Sequence, residues 1–279
     1  MPTVQIKFPH NAPVPSTLTL VEGNRLRVKI EAVAKTYKLG ARIDAPSILA
    51  AQPPVHNARA DSWQFDFVAQ QPGLTKLSIV AVQGTGLSVM PAAITVQVEK
   101  SISLPAESTT EGMLVRLLLA ENFSPDGAPR NVAWKASDVL TSMRWMRRVI
   151  ENRLKSGKPE EFMARGATTI ADIIKANDRG MVQFHGFPTY PTLNQNMQEN
   201  LTDYLQIANN GLHGKRTAYQ QFVQAAITVA SEPLAADPTS TGLYAWRSEG
   251  SGSPGPDFKV HATLMGNTFY THTRLRKQD

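Results

Sequence analysis

Cysteine is absent from the 279 residues of the chain. Its absence excludes disulfide bonds, zinc sites built on thiolates and thiol nucleophiles together. Long apolar runs are missing too, because the run at 114–120 is broken by Arg116 and no stretch reaches the roughly 18 apolar residues of a membrane-spanning helix. The sequence therefore predicts a soluble protein without a transmembrane segment.

Several catalytic motifs are also missing. The histidines, which show neither HExxH nor HxH spacing, are His10, His56, His185, His213, His261 and His272. We therefore expect neither a metal nor a cofactor, although convergence of His261 and His272 with a carboxylate in space stays open. No Gly-x-Ser-x-Gly elbow is present, and the glycine-rich stretch 250–255 lacks the lysine of a phosphate-binding loop.

The formal net charge of +6 arises from 29 basic and 23 acidic residues. A field of this sign favours anionic partners such as nucleic acid, acidic lipid surfaces or anionic cell-wall polymers. The densest basic clusters are Arg144, Arg147 and Arg148, and Arg274, Arg276 and Lys277. Neither cluster carries the series of interleaved aromatic residues that single-stranded nucleic acid binders use, so we expect no nucleic acid partner.

The pattern of residues changes near position 105. Residues 1–100 contain about seven short segments in which apolar and polar residues alternate, among them 26–33, 63–68 and 75–82. This number of strands in about 100 residues predicts an immunoglobulin-like β-sandwich. No nucleophile, base and orienting group come together in this half, so its expected role is spacing, docking or adhesion.

Residues 101–110 are predicted to form a linker, and residues 111–279 a second, mainly helical domain. The spacing of residues 108–111 is that of a capping box and predicts a helix that ends at Glu121. Further helices are expected at 132–154, 168–176, 193–209 and 215–230, and extended pieces near 181–184, 242–246 and 264–270. The extended pieces predict a small sheet beside the helices.

Glu121 is a lone carboxylate that closes the apolar run at 114–120. A carboxyl group held against hydrophobic walls resists ionisation, so its pKa rises toward neutral pH and it can act as a proton donor. The alternative is that Glu121 is the polar end of a core helix.

Four segments of the helical half carry a family resemblance. They are residues 118–123 (LLAENF), 149–154 (VIENRL), 182–184 (VQF), and 237–246 (DPTSTGLYAW) followed by 265–270 (MGNTFY). In this order they resemble the cell wall hydrolases of the spore-cortex-lytic type, which cleave the glycan strand of peptidoglycan. The chain departs from the family where Ala120 replaces a glycine, where the arginine shortly after Glu121 is missing, and where Asn267 or Thr268 replaces a histidine.

The resemblance implies a mainly α, α+β lysozyme-like domain in which Glu121 is the catalytic acid. The residues that it implies at the sugar-binding cleft are Asn152, Gln183, Asp237, Tyr244 and Tyr270. A two-carboxylate glycosidase needs a second acid, for which Asp126, Asp178 and Asp237 are candidates, although each also suits a turn or cap. A lytic transglycosylase can work with one glutamate, so both routes stay open.

We therefore expect a muramidase or lytic transglycosylase whose partner is peptidoglycan. Because the N-terminal sequence lacks the pattern of a secretory signal, we expect synthesis in a bacterial cytoplasm and action in the periplasm or cell wall of a target cell. One hypothesis is an antibacterial effector of the type VI apparatus, with an immunity protein and a secretion component as further partners. The alternatives are a phage lysis or virion-associated muramidase, and a non-catalytic glycan-binding or structural protein.

Overall fold

The computed structural model describes residues 3–9, 13–33, 35–83, 89, 92–129 and 132–277. These residues form a mixed α/β protein with several β-sheets and five α-helices. The chain divides into two compact units. The first comprises Met1–Ile102 and Gln206–Arg216, and the second comprises Ser103–Leu205 and Thr217–Asp279.

Two β-sheets make up most of the first unit. Their strands are β1 (Thr3–Pro9), β2 (Thr17–Val21), β3 (Arg25–Glu31), β4 (Lys38–Ile43), β5 (Leu49–Ala51), β6 (Val55–Asn57), β7 (Ser62–Ala69), β8 (Gly73–Gln83) and β9 (Ile94–Glu99). One sheet has the order β1-β3-β7-β5, with β6 also paired to β7, and the other has the order β2-β9-β8-β4. The pairs β1–β3 and β2–β9 are parallel and the others antiparallel.

The core of the first unit follows from the alternation seen in the sequence. Successive side chains of a strand point to opposite faces, so every second residue of β3 reaches the interior. Leu26, Val28 and Ile30 are fully buried there. They share one hydrophobic cluster with residues of the other sheet such as Leu77 and Ile94, so both sheets contribute to a common core.

A later part of the chain, Gln206–Arg216, also belongs to the first unit. The side chain of Asn209 pairs with the backbone of Ile102, accepting from its N–H at 2.7 Å and donating to its carbonyl at 2.8 Å. The Asn24 amide donates to the Asn209 carbonyl at 2.8 Å. The sequence predicted a second domain over residues 111–279. The hydrogen bonds to Asn24 and Ile102 explain why Gln206–Arg216 groups with the first unit instead.

The elements from residue 103 onward are mainly helical. The helices are α1 (Thr110–Glu121), α2 (Ala136–Lys155), a 3-10 helix (Pro159–Phe162), α3 (Ile170–Ile174), α4 (Gln195–Ala208) and α5 (Arg216–Ser231). The strands are β10 (Asn177–Asp178), β11 (Met181–Val182), β12 (Leu243–Ser248), β13 (Phe258–Leu264) and β14 (Asn267–His272). The last three form an antiparallel sheet in the order β12-β14-β13.

Helix α1 positions Glu121 through contacts at both ends. At its start the Thr109 hydroxyl accepts a hydrogen bond from the Gly112 N–H at 2.9 Å, which caps the helix. At its end the Asn122 amide donates to the Leu118 carbonyl at 2.9 Å, and its oxygen accepts from the Ser142 hydroxyl of α2 at 2.8 Å. These buried hydrogen bonds fix the last turn, from which Glu121 projects.

Gly112 gives a test of how closely α1 approaches the preceding segment. A Cβ atom at this position would lie 2.0 Å from the carbonyl oxygen of Ala106. Gly112→Ala should therefore lower the free energy of unfolding by about 1–3 kcal/mol, despite the better helix propensity of alanine. Urea denaturation measures the change, with Gly214→Ala as the control because its Cβ would meet nothing within 4 Å. Equal stability of both variants would contradict the close approach.

Candidate functional site

Glu121 lies on the wall of a cavity of about 270 Å³ in the second unit. Its carboxyl group is partly buried, and Oε2 accepts a hydrogen bond from the Trp246 indole N–H at 3.2 Å. The end of α1 and strand β12 thus meet at this carboxyl group.

The surroundings of Glu121 favour its protonated form. Burial raises the pKa of Glu121 and is the largest influence on it. The hydrogen bond from Trp246 and the electrostatic influence of His185 and Arg153 act in the opposite direction, but the pKa of Glu121 stays above its ordinary value. The group therefore keeps its proton to a higher pH than an exposed glutamate.

Arg153 of α2 is a buried cation on the same cavity, with only 7% of its surface exposed. Its Nε donates to the Tyr244 carbonyl at 2.7 Å, and its Nη1 donates to the Gln183 side-chain oxygen. Burial lowers the pKa of Arg153 to about 10, while the charge of Glu121 acts to raise it. The guanidinium therefore remains charged at neutral pH.

Aromatic rings form much of the cavity wall, contributed by Phe162, Phe184, Trp246 and Phe258. Phe184 and Trp246 stack with centroids 5.3 Å apart and an interplanar angle of 22°. The Arg153 guanidinium carbon lies 5.1 Å from the centroid of Phe162 and 5.7 Å from that of Trp246. The cavity thus combines aromatic rings with several polar and charged side chains, a lining that can contact both the apolar faces and the polar groups of an organic ligand.

A second carboxylate, Glu161, lines the same cavity from the 3-10 helix. Its oxygens lie 3.8 Å from Lys158 Nζ and 3.8 Å from His272 Nε2. The sequence prediction missed Glu161, because the adjacent Glu160 and Glu161 follow a proline in a short turn where no periodicity shows which one faces inward.

The expected second acids lie away from this cavity. Asp126 accepts a hydrogen bond from the Tyr219 hydroxyl at 3.1 Å. Asp178 lines a different cavity. Asp237 is held in a turn by neighbouring hydrogen-bond donors. In the described part of the chain, the only carboxylates that line the cavity are Glu121 and Glu161.

Asn152 and Asp237 were predicted to contact substrate, but their side chains bind each other. The Asn152 amide donates to Asp237 Oδ2 at 2.7 Å and to the Leu243 carbonyl at 2.9 Å. Asp237 also accepts from the Thr239 N–H at 2.9 Å and its hydroxyl at 2.7 Å. Although burial alone would raise it, these hydrogen bonds lower the pKa of Asp237. The pair fixes the turn that leads into β12 and does not line the cavity.

Tyr244 and Tyr270 were also predicted at the cleft, and the structure places both rings in the interior. Tyr244 is fully buried and stacks on Phe162 at 5.9 Å with an interplanar angle of 3°. Burial raises its pKa to about 12. Tyr270 is 4% exposed, and its hydroxyl donates to the Gly252 carbonyl at 3.0 Å. Of the predicted cleft residues, only Gln183 lies on the cavity beside Glu121.

The basic cluster on α2 is engaged within the protein. Arg144 pairs with both carboxylate oxygens of Glu232 at 2.7 and 2.8 Å. Arg147 donates to the carbonyls of Val229 and Glu232, and Arg148 to that of Ala235. Cationic side chains commonly bind the last carbonyls of a helix, and here they hold the end of α5 and the segment after it.

Metal and membrane sites are not seen in the part of the chain that the structure describes. That part contains no group of three or more His, Asp or Glu side chains arranged to hold a metal ion. His272 instead packs against Phe258 at 4.9 Å, and His261 against Trp145 at 5.3 Å. None of the described helices is both long enough and apolar enough to pass through a membrane.

The sequence matches no known family model. It matches no curated protein either. Among solved structures, the cysteine protease inhibitor EhICP2 from Entamoeba histolytica has 10% identity and a TM-score of 0.25, covering 35% of this chain and 96% of that one. Domains 4 and 5 of the S-layer protein SbsC have 12% identity and a TM-score of 0.24, covering 30% of this chain and 47% of that one. These TM-scores are too low to support an argument about function.

The raised pKa of Glu121 predicts a pH-dependent stability. In the unfolded chain Glu121 ionises near its ordinary value of 4.5, whereas the folded protein holds the proton to higher pH. Stability is therefore lost as pH rises from that value through the folded pKa. Glu121→Gln should be more stable than the unsubstituted protein at pH 8, and the difference should shrink at pH 4. Urea denaturation at both pH values measures this difference in stability. A difference that does not change with pH would contradict the raised pKa of Glu121.

Proposed function

We propose that the second unit cleaves the glycan strand of peptidoglycan, with Glu121 as the general acid. The observation that carries this proposal is a partly buried carboxyl group with a raised pKa on an aromatic-walled cavity. A sugar ring presents apolar faces to aromatic walls and polar groups at its edges, and the cavity offers the Gln183 amide beside the acid. The order of segments that resembles spore-cortex-lytic hydrolases supports the same reaction.

Each of the two units also fits a known fold. We assign the nine-stranded unit to the immunoglobulin-like sandwiches, because two sheets share one core and alternate their buried residues. We assign the second unit to the lysozyme-like cell wall hydrolases, because its catalytic candidate ends a buried helix beside a three-stranded antiparallel sheet.

The chemistry begins with transfer of the Glu121 proton to the glycosidic oxygen. The bond between that oxygen and the anomeric carbon then breaks, and positive charge develops on the sugar ring. In the transglycosylase route the sugar's own 6-hydroxyl attacks the anomeric carbon and returns a proton to the Glu121 carboxylate, which closes a 1,6-anhydro ring. In the hydrolytic route water takes the place of that hydroxyl.

Glu121 must give up a proton and later regain it, and its neighbours Arg153 and Trp246 affect both steps. Both favour the ionised form of Glu121, whereas burial favours the neutral form. A general acid that later acts as a base works best when its pKa lies near the working pH, and burial moves the pKa of Glu121 in that direction. In the hydrolytic route Glu161 is the group on this cavity that can activate water.

Cleavage of the glycan strand would serve a protein in more than one biological setting. An antibacterial effector delivered to the wall of a target cell and a phage muramidase both act on this polymer. The immunoglobulin-like unit then has a docking or spacing role.

Muropeptide analysis tests the proposed reaction. Purified sacculi digested with the protein should release glycan fragments, and Glu121→Gln should lower the rate at least about a hundredfold because the proton donor is lost. Mass spectrometry distinguishes 1,6-anhydro products from reducing ends, and either product supports glycan cleavage. Glu249→Gln is the matched control, since Glu249 is exposed and does not line the cavity. Absence of any fragments would refute the proposal in favour of a non-catalytic protein.

Trp246→Phe tests the hydrogen bond to Glu121. The phenyl ring can still stack on Phe184, but the donor that favours the carboxylate is lost, so the pKa of Glu121 should rise further. The alkaline limb of the pH–rate profile should move to higher pH. Trp134→Phe is the control, because it removes an indole donor that binds the Phe123 carbonyl at 3.3 Å. A limb that stays in place or moves to lower pH would contradict the role of Trp246.

A further inference from the structure

A second cavity, of about 460 Å³, adjoins the Glu121 cavity. Met163 lines both cavities, so they meet at this residue. Met163 follows the 3-10 helix and adopts a left-handed backbone with a φ of 58°, which is uncommon for a residue other than glycine. The chain turns sharply here, and the turn places residues 164–168 along the second cavity.

The two cavities differ in chemistry. The Glu121 cavity has four aromatic rings on its wall, whereas none of the residues lining the second cavity is aromatic. Both cavities carry charged residues, and those of the second are Arg165, Asp172, Lys175 and Asp178. The second cavity therefore lacks the ring surfaces on which sugars stack and suits a charged, flexible ligand.

The charged groups of the second cavity are not equally available. Asp172 caps α3, where Oδ2 accepts from the Thr168 N–H at 2.9 Å and the Thr169 N–H at 2.8 Å. Arg165 and Lys175 are exposed, and neither side chain makes a hydrogen bond or ion pair with any residue that the structure describes. Asp172 is already bound to backbone donors, which leaves two cations and one carboxylate, Asp178, facing the cavity. This set suits a ligand that carries carboxylate groups, with room for a cationic group beside Asp178.

We propose that the second cavity binds the stem peptide of peptidoglycan, with Arg165 and Lys175 pairing with its carboxylates. This inference rests on the proposed glycan cleavage. The stem peptide is attached to the lactyl group of a muramic sugar, so it must leave the sugar-binding cavity on one side, and the shared Met163 marks where the cavities connect. The peptide is flexible, carries carboxylates and needs no aromatic platform.

The arrangement predicts a preference for glycan strands that still carry their peptides. Each exposed cation–carboxylate pair contributes modestly, so we expect two pairs to favour peptide-bearing strands by about tenfold in kcat/KM. The unsubstituted protein is compared on intact sacculi strands and on strands freed of peptides by an amidase. A third substrate, in which the stem carboxylates have been converted to amides, should be cleaved as slowly as the peptide-free strands.

The double variant Arg165→Ala/Lys175→Ala tests the two cations. The ratio of its kcat/KM on peptide-bearing and peptide-free strands should fall from about ten toward about one. The control Arg42→Ala/Lys259→Ala removes the same charge from exposed residues outside both cavities and should keep the ratio of the unsubstituted protein. Thermal denaturation establishes that each variant is folded.

The outcomes separate this inference from the reaction on which it rests. Failure of the unsubstituted protein to cleave any strand would refute the proposed function. Cleavage of all three substrates at equal rates would overturn the stem-peptide site and leave glycan cleavage in place. A preference that survives in Arg165→Ala/Lys175→Ala would overturn the site as well. The amidated substrate needs no variant, so the test does not depend on how substitutions fold.

Discussion

The buried guanidinium of Arg153 connects most of the groups that surround the candidate site. A charge removed from water is costly unless hydrogen bonds and opposite charges surround it. Arg153 meets this requirement through the Tyr244 carbonyl, the Gln183 side chain and the neighbouring Glu121. Each of these partners comes from a different element, so satisfying one charge brings α1, α2, β12 and the segment after β11 to the same cavity. The site and the stability of this region therefore have a common origin.

Two carboxyl groups of the second unit show how local environment decides protonation. Asp237 receives hydrogen bonds from Asn152, Thr239 and the backbone, and its pKa is lowered in spite of burial. Glu121 receives one hydrogen bond, and burial prevails. The first group is thereby suited to hold a turn as a permanent anion, and the second to exchange a proton. Two things make the difference: the Glu121 carboxyl is buried more deeply than that of Asp237, and it receives fewer hydrogen bonds.

Much of the local structure could be predicted from the sequence, because periodicity reflects which side chains are buried. The alternation at 26–33 corresponds to β3, and the apolar run that ends at Glu121 corresponds to α1. Tyr244, predicted at the cleft, lies in the interior for a physical reason. A register shift between Leu243 and Ala245 interrupts the alternation of β12, so Tyr244 and Trp246 have different environments, and it is Trp246 that lines the cavity. Contacts between distant segments, such as Asn152 with Asp237, leave no periodic signal.

The placement of Gln206–Arg216 in the first unit has a consequence for how the protein is made. A ribosome releases the nine strands early, but their unit lacks one of its segments until more than half of the second unit has followed. During that interval the Asn24 side-chain amide and the Ile102 backbone N–H, which later bind Asn209, must be hydrated or bind other groups. Completion of the first unit therefore depends on synthesis of much of the second. Independent domains usually fold one after another from the N-terminus, and the first unit cannot complete its fold in that order.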